Sequence, residues 1–196
     1  MMPEAAGARR ASARWRLRTA ACLLIGAAVG GWFAYDHFFG PPKRFGVVVP
    51  GRLYRSGEVT PIDLERLQRQ HGIQTVLSLL NPDVPESVAE REAAERLGLR
   101  WINIPLNGDG SSTPEARDQM KTVLFDDALG ATLVHCAAGA NRTGLAVGMY
   151  RIHRDGWSVE QVLEEMRRYD FEDLPKHENL RAALREEART RASAGE

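Results

Sequence analysis

The chain has 196 residues, 43% of them hydrophobic and 27% charged, a composition that supports a packed globular domain and excludes a wholly disordered chain. Two cysteines are too few for a disulfide framework or a four-cysteine zinc site. The 26 basic and 26 acidic side chains cancel, which argues against a nucleic-acid binder unless charge is segregated along the chain.

It is segregated. Arg9, Arg10, Arg14, Arg16 and Arg18 face a single acid, Glu4, within residues 1–18, leaving 21 basic against 25 acidic residues in the remainder. Residues 1–18 therefore read as a basic cytoplasmic terminus. Thr19–Tyr35 is free of formal charge, close to the roughly 17–25 residues a helix needs to cross a bilayer. Arginines precede this run and Trp32, Phe33, Tyr35, Phe38 and Phe39 collect at its far side. Residues 19–39 are thus expected to form one N-terminal transmembrane helix, a single-pass signal anchor with its N-terminus inside and the following domain outside the cytoplasm. Cleavage near Ala28-Val29-Gly30 is the rival reading and would release a secreted domain.

Residues 40–44, Gly-Pro-Pro-Lys-Arg, read as a stiff linker. Val47–Val49 and Leu53–Arg55 are extended candidates. Thr60-Pro61-Ile62-Asp63 has the cap, the first-position proline and the acid of a helix start, with a stop near Gly72. A strand is expected over Thr75–Leu80, a helix over Ser87–Leu97 and a strand over Arg100–Ile104. A loop follows over Leu106–Ser112, and Thr113-Pro114 opens another helix. Ala131–His135 is a short buried strand leading through a glycine-bearing turn into a helix over Thr143–His153. Ser158-Val159-Glu160-Gln161 is a capping box for a helix to about Tyr169, and an amphipathic helix starts near Lys176. This alternation predicts an α/β domain over residues 45–190 with a central, mostly parallel sheet flanked by helices. Residues 191–196 read as a disordered tail.

The turn after the last strand carries the chemistry: His135-Cys136-Ala137-Ala138-Gly139-Ala140-Asn141-Arg142-Thr143-Gly144. Backbone N–H groups of a tight loop suit a tetrahedral dianion, and Gly139 relieves the sterics of such a turn. The following helix adds unpaired N–H donors and the positive end of its dipole. Arg142 has the planar fork that grips two phosphate oxygens. The same donors favour a nucleophilic thiolate at Cys136, while Thr143 is placed to hydrogen-bond the sulfur.

This decapeptide resembles the signature loop of the cysteine-based protein-tyrosine and dual-specificity phosphatase superfamily. Leu53-Tyr54-Arg55-Ser56-Gly57 and Gly156-Trp157-Ser158 are similar to its bacterial exported branch, and the likeness runs from about Phe45 to Arg185. It implies a periplasmic phosphomonoesterase working through a phosphocysteine at Cys136. Loop residues 137–142 would bind the phosphate, with no metal and no cofactor. His135 is expected to orient the loop rather than act as a base.

The resemblance also implies an aspartic general acid on a mobile loop about thirty positions before the cysteine. Asp109, 27 positions before Cys136 and between Gly108 and Gly110, fits, although the family's Trp-Pro-Asp is absent. Asp83, Asp126, Asp127, Asp170, Glu172 and Asp173 are the alternatives. His37, His71, His153 and His177 have no ligand spacing and read as ordinary histidines.

No basic residue stands among Ala137, Ala138, Ala140 and Asn141. That argues against a polyanionic substrate or nucleic acid and leaves a phosphorylated protein or a small phosphomonoester as the expected partner. Two other readings stay open: a membrane-tethered, phosphate-binding pseudophosphatase, and a rhodanese-like sulfurtransferase. Oligomeric state has no signal in the sequence.

Overall fold

A computed structural model describes residues 23–27, 30–31 and 40–194. The expected anchor is overturned: among the described residues no helix is long and apolar enough to cross a membrane. Within 19–39 only residues 23–27 and 30–31 are described, both helical. The rest of that stretch and the basic residues 1–18 lie outside the described residues. Placement of the domain beyond a membrane therefore loses its support. The chain divides into two compact units after Pro41.

From Pro42 onward the expected α/β architecture is present. Five strands, β1 (Gly46–Val49), β2 (Leu53–Ser56), β3 (Thr75–Ser78), β4 (Arg100–Asn103) and β5 (Thr132–His135), form one sheet in the order β1-β2-β5-β3-β4. Only the β1–β2 pair is antiparallel. Every residue of β2, β3 and β5 is buried, as required of central strands covered on both faces.

One face carries α1 (Pro61–His71) and α2 (Pro85–Arg96), through Leu64, Leu67, Ala93 and Ala94. The other carries α3 (Pro114–Phe125), α4 (Asn141–Tyr150), α5 (Val159–Arg168) and α6 (Glu178–Ala194), whose core includes Met120, Leu124, Leu145, Met149, Met166 and Leu184.

Local chemistry explains most boundaries. Thr60 and Asp63 form the reciprocal capping box of α1, and Gly72 closes the helix at φ +67°. Ser158 and Gln161 do the same at the start of α5. α2 begins at Pro85, two residues before the expected Ser87, because proline is well accommodated at the first helical position. α4 starts at Asn141 rather than Thr143 and passes at Arg151 into a π-helical turn, Arg151–Asp155. α6 runs to Ala194, into the stretch expected to be disordered.

A buried ionic cluster fastens α6 to the domain. Arg117 donates through Nε to Glu187 at 2.9 Å and through Nη2 to Glu186 at 2.6 Å, while Lys121 (3.1 Å) and His153 (2.8 Å) share the second Glu187 oxygen. Burial alone would raise the Glu187 pKa, but hydrogen bonds from His153, Arg117 and Lys121 outweigh it and hold the carboxyl below its usual range. A depressed carboxylate contributes stability above its unfolded pKa and loses it as pH falls through the folded one. Glu187→Gln is therefore expected to lose about 2–3 kcal/mol in urea unfolding at pH 7. That difference from the parent should shrink as pH drops below about 4.

Candidate active site

The carboxyl ends of β2, β5 and β3 lie side by side, with Ser56 and Ser78 both in register with His135. Chain segments leaving such ends of a parallel sheet form the usual ligand crevice. Residues 136–140 leave β5 here and turn directly into α4. Cys136 is buried and is the one free cysteine among the described residues; its Sγ accepts the Gly139 N–H at 3.2 Å.

The loop is shaped from outside. Ala137 O accepts from Glu58 N (3.1 Å), Ala138 O from Arg44 Nη1 (2.6 Å) and Gly139 O from Arg55 Nη2 (2.8 Å). A trans peptide sets each N–H opposite the preceding carbonyl, so drawing three successive carbonyls outward turns the N–H groups of residues 138–140 toward the cysteine side. Gly139 sits at φ +73°, and a Cβ there would lie 2.6 Å from Gly57 N. No side chain fits between the loop and the end of β2.

Arg142 reaches to the other side of β5, where Nη1 donates to Leu79 O at 3.1 Å and Leu106 O at 3.4 Å. Thr143 is fully buried, and its hydroxyl donates at 3.4 Å to Ser56 O rather than to the sulfur, unlike the expectation. His135 turns away from Cys136. Its Nε2 lies 3.0 Å from Glu90 Oε1 on α2, an oxygen that also accepts from Trp101 Nε1 at 2.7 Å. The imidazole is therefore held from the α1–α2 face.

Asp109 lies in the turn after β4, where its Oδ1 accepts the Ser111 N–H at 2.9 Å. That backbone hydrogen bond, helped by the Ser111 side chain and against slight desolvation, lowers the Asp109 pKa. Asn141 joins this turn to the loop. Its Nδ2 lies 3.5 Å from Gly108 O and 3.3 Å from His177 Nε2. His177 Nδ1 is 2.7 Å from Glu172 O, a pure acceptor, so Nδ1 carries the proton and Nε2 accepts in the neutral ring.

Most of the other acids are engaged elsewhere: Asp126 caps Ala128, Asp127 pairs with Arg52, and Asp173 with Arg167 and Arg181. Asp83 is exposed, and Asp170 holds Arg44. Among the described residues no group of three or more His, Cys, Asp or Glu is placed to hold a metal ion.

The roles of Arg44, Arg55, Glu90 and His177 depend on contacts between distant segments. Arg55 stands in the Leu53–Gly57 motif, and a charged residue in that extended run gains meaning only with β2 as a central strand.

The model for the "Tyrosine phosphatase family" matches residues 40–184. The dual specificity protein phosphatase TpbA of Pseudomonas aeruginosa is 32% identical over 121 residues, 62% of this chain and 52% of that protein. The crystal structure of its cysteine-to-serine form in complex with phosphotyrosine superposes with a TM-score of 0.61 at 26% identity, covering 76% of this chain and 91% of that one. The inositol diphosphatase SIW14 of Saccharomyces cerevisiae is 24% identical over 135 residues, 67% of this chain and 47% of that protein. The chain thus spans about half the length of the curated relatives it matches.

Loop shape is the testable property here. Gly139→Ala is expected to weaken vanadate binding, followed by calorimetry, by about tenfold or more, because the added methyl forces the loop off the Ser56–Gly57 backbone.

Proposed function

The chain belongs to the tyrosine phosphatase family, and from that premise we propose that it hydrolyses phosphomonoesters through a phosphocysteine formed at Cys136. The observation that carries this reading is the outward anchoring of the Ala137, Ala138 and Gly139 carbonyls, which leaves the loop N–H groups to meet a phosphate beside the sulfur.

The Cys136 thiolate attacks phosphorus in line with the ester oxygen; the P–S bond forms as the P–O bond breaks. Arg142 moves its fork from the Leu79 and Leu106 carbonyls onto two equatorial oxygens, where the loop amides share the charge. Asp109 gives its proton to the leaving oxygen. Water then attacks phosphorus, Asp109 takes back a proton, and P–S cleavage releases inorganic phosphate and the thiolate.

The Ser111 hydrogen bond keeps Asp109 ionised in the free protein, so the acid role requires a dianionic phosphate nearby to raise its pKa by like-charge repulsion. His135, fixed by Glu90, serves as a structural support of the strand end. Thr143 secures α4 to β2.

Family membership sets the sulfurtransferase reading aside. The intact Cys136 and Arg142 favour an enzyme over a phosphate sensor. Loop side chains no larger than a methyl at 137, 138 and 140, together with the phosphotyrosine bound by the Pseudomonas relative, favour phosphotyrosine over an inositol diphosphate.

Hydrolysis of p-nitrophenyl phosphate, a phosphotyrosyl peptide and an inositol pyrophosphate by the full chain tests this, with Cys136→Ser as the blank. Vanadate-sensitive turnover of the first two, absent in the blank, is expected; phosphate binding without turnover sinks the proposal. Asp109→Asn should lower kcat on the phosphotyrosyl peptide by about 100-fold or more. It should also abolish the decline of rate on the alkaline side, since the lost group acts only when protonated.

A further inference from the structure

An arginine removed entirely from solvent is costly unless its charge is compensated, and Arg55 is fully buried with no carboxylate in hydrogen-bond contact. Its Nη2 donates to Gly139 O at 2.8 Å, while Nε and Nη1 have no hydrogen-bond partner. The guanidinium carbon stands 3.7 Å from the centre of the Tyr169 ring, whose face offers only the partial compensation of a cation–π contact. Burial pushes its pKa down to about 10, which still leaves it charged at neutral pH.

The position of this charge is informative. Arg55 is in register with Val134 on the neighbouring strand, and side chains alternate along a pleated strand, so Arg55, Val134 and Cys136 project toward the same side of the sheet. Tyr169, Glu165 and Cys136 favour its charged form, in that order, and Arg151 opposes it. Glu165 is occupied by Arg151 at 2.8 Å. Arg142 approaches from the β3 and β4 side, Asp109 from the turn after β4, and the His135–Glu90 pair lies across the sheet.

We infer that Arg55 is a positioning residue for the proposed reaction: a resident cation behind the phosphate loop that fixes the Gly139 peptide and favours the Cys136 thiolate before any substrate binds. Arg142 can serve the incoming phosphate because a second arginine, committed to the loop from behind, holds the Gly139 peptide beside the sulfur. The inference rests on the phosphocysteine reading, but its test does not require turnover.

The test is the pH dependence of iodoacetamide alkylation in the full chain, followed by mass spectrometry at the Cys136 peptide so that Cys22 does not contribute. Arg55→Gln keeps a donor for Gly139 O and removes the charge; its alkylation midpoint is expected to rise by about one pH unit or more. Arg55→Lys keeps the charge and is expected to hold the midpoint within about 0.3 unit. On p-nitrophenyl phosphate, Arg55→Gln should lose about tenfold in kcat with a smaller change in KM. A folded Arg55→Gln with lowered Tm and an unmoved midpoint makes the residue merely structural and overturns the inference. If Arg55→Gln does not fold, Arg55→Lys decides: a retained midpoint supports the inference and a rise of a full unit overturns it. A parent protein that fails to hydrolyse phosphate esters overturns the proposed function alone, because the alkylation comparison stands without it.

Discussion

Three carbonyl oxygens that point the wrong way for a ligand hold this site together. The peptides of Ala137, Ala138 and Gly139 could rotate to bring their oxygens toward the sulfur, which would repel any anion. They are kept outward by Glu58 N–H, Arg44 and Arg55, all from the chain that flanks and includes β2. Two of the three donors are cations, and hydrogen bonds to charged groups contribute about 1.5–3 kcal/mol each, roughly twice the neutral value. The outward set of the loop carbonyls is thus built by residues about eighty to ninety positions earlier in the chain. The parallel β2–β5 pairing brings them into place.

Backbone strain gathers at the same shoulder. Arg44 (φ +53°) and Asp170 (φ +58°) are the only non-glycine residues with positive φ among the described residues, and they are each other's ion-pair partners at 2.8 Å. Each such conformation costs about 1–3 kcal/mol. The Asp170 side chain is 70% exposed, so the pair itself returns little. What the two strained residues secure is the direction of the Arg44 fork, whose Nη1 reaches Ala138 O. The strain is spent on loop geometry rather than on global stability.

The layers and the place of the cysteine loop between a strand and a helix were legible in the sequence because their signals are local. Thr60 with Asp63, Ser158 with Gln161, and Gly72 are cap signals complete within four residues, and the decapeptide from His135 carries its own strand-to-helix context. What failed needed long-range information. His177 read as an ordinary histidine, yet the fold sets it against Asn141, 36 positions away. Glu90 has no signal of its own within the helix, and only the packing of α2 on the sheet buries it against His135. The loop contacts of Arg55 and Arg44 depend on the same long-range packing. The apolar run after Arg18 carries only a composition signal, hydropathy with flanking arginines, and among the described residues no helix is long and apolar enough to cross a membrane. Thr143 shows the limit of motif logic, since proximity to the sulfur in sequence did not decide where its hydroxyl points.

The central claim is that Cys136 carries the phosphoryl group between the two half-reactions. Acid quench of the full chain during turnover of p-nitrophenyl phosphate, followed by peptide mass spectrometry, addresses it directly. The account predicts one added phosphoryl group on the Cys136 peptide, absent from Cys136→Ser. Turnover with the phosphoryl group on another residue, or with none trapped while Cys136→Ser remains active, contradicts it.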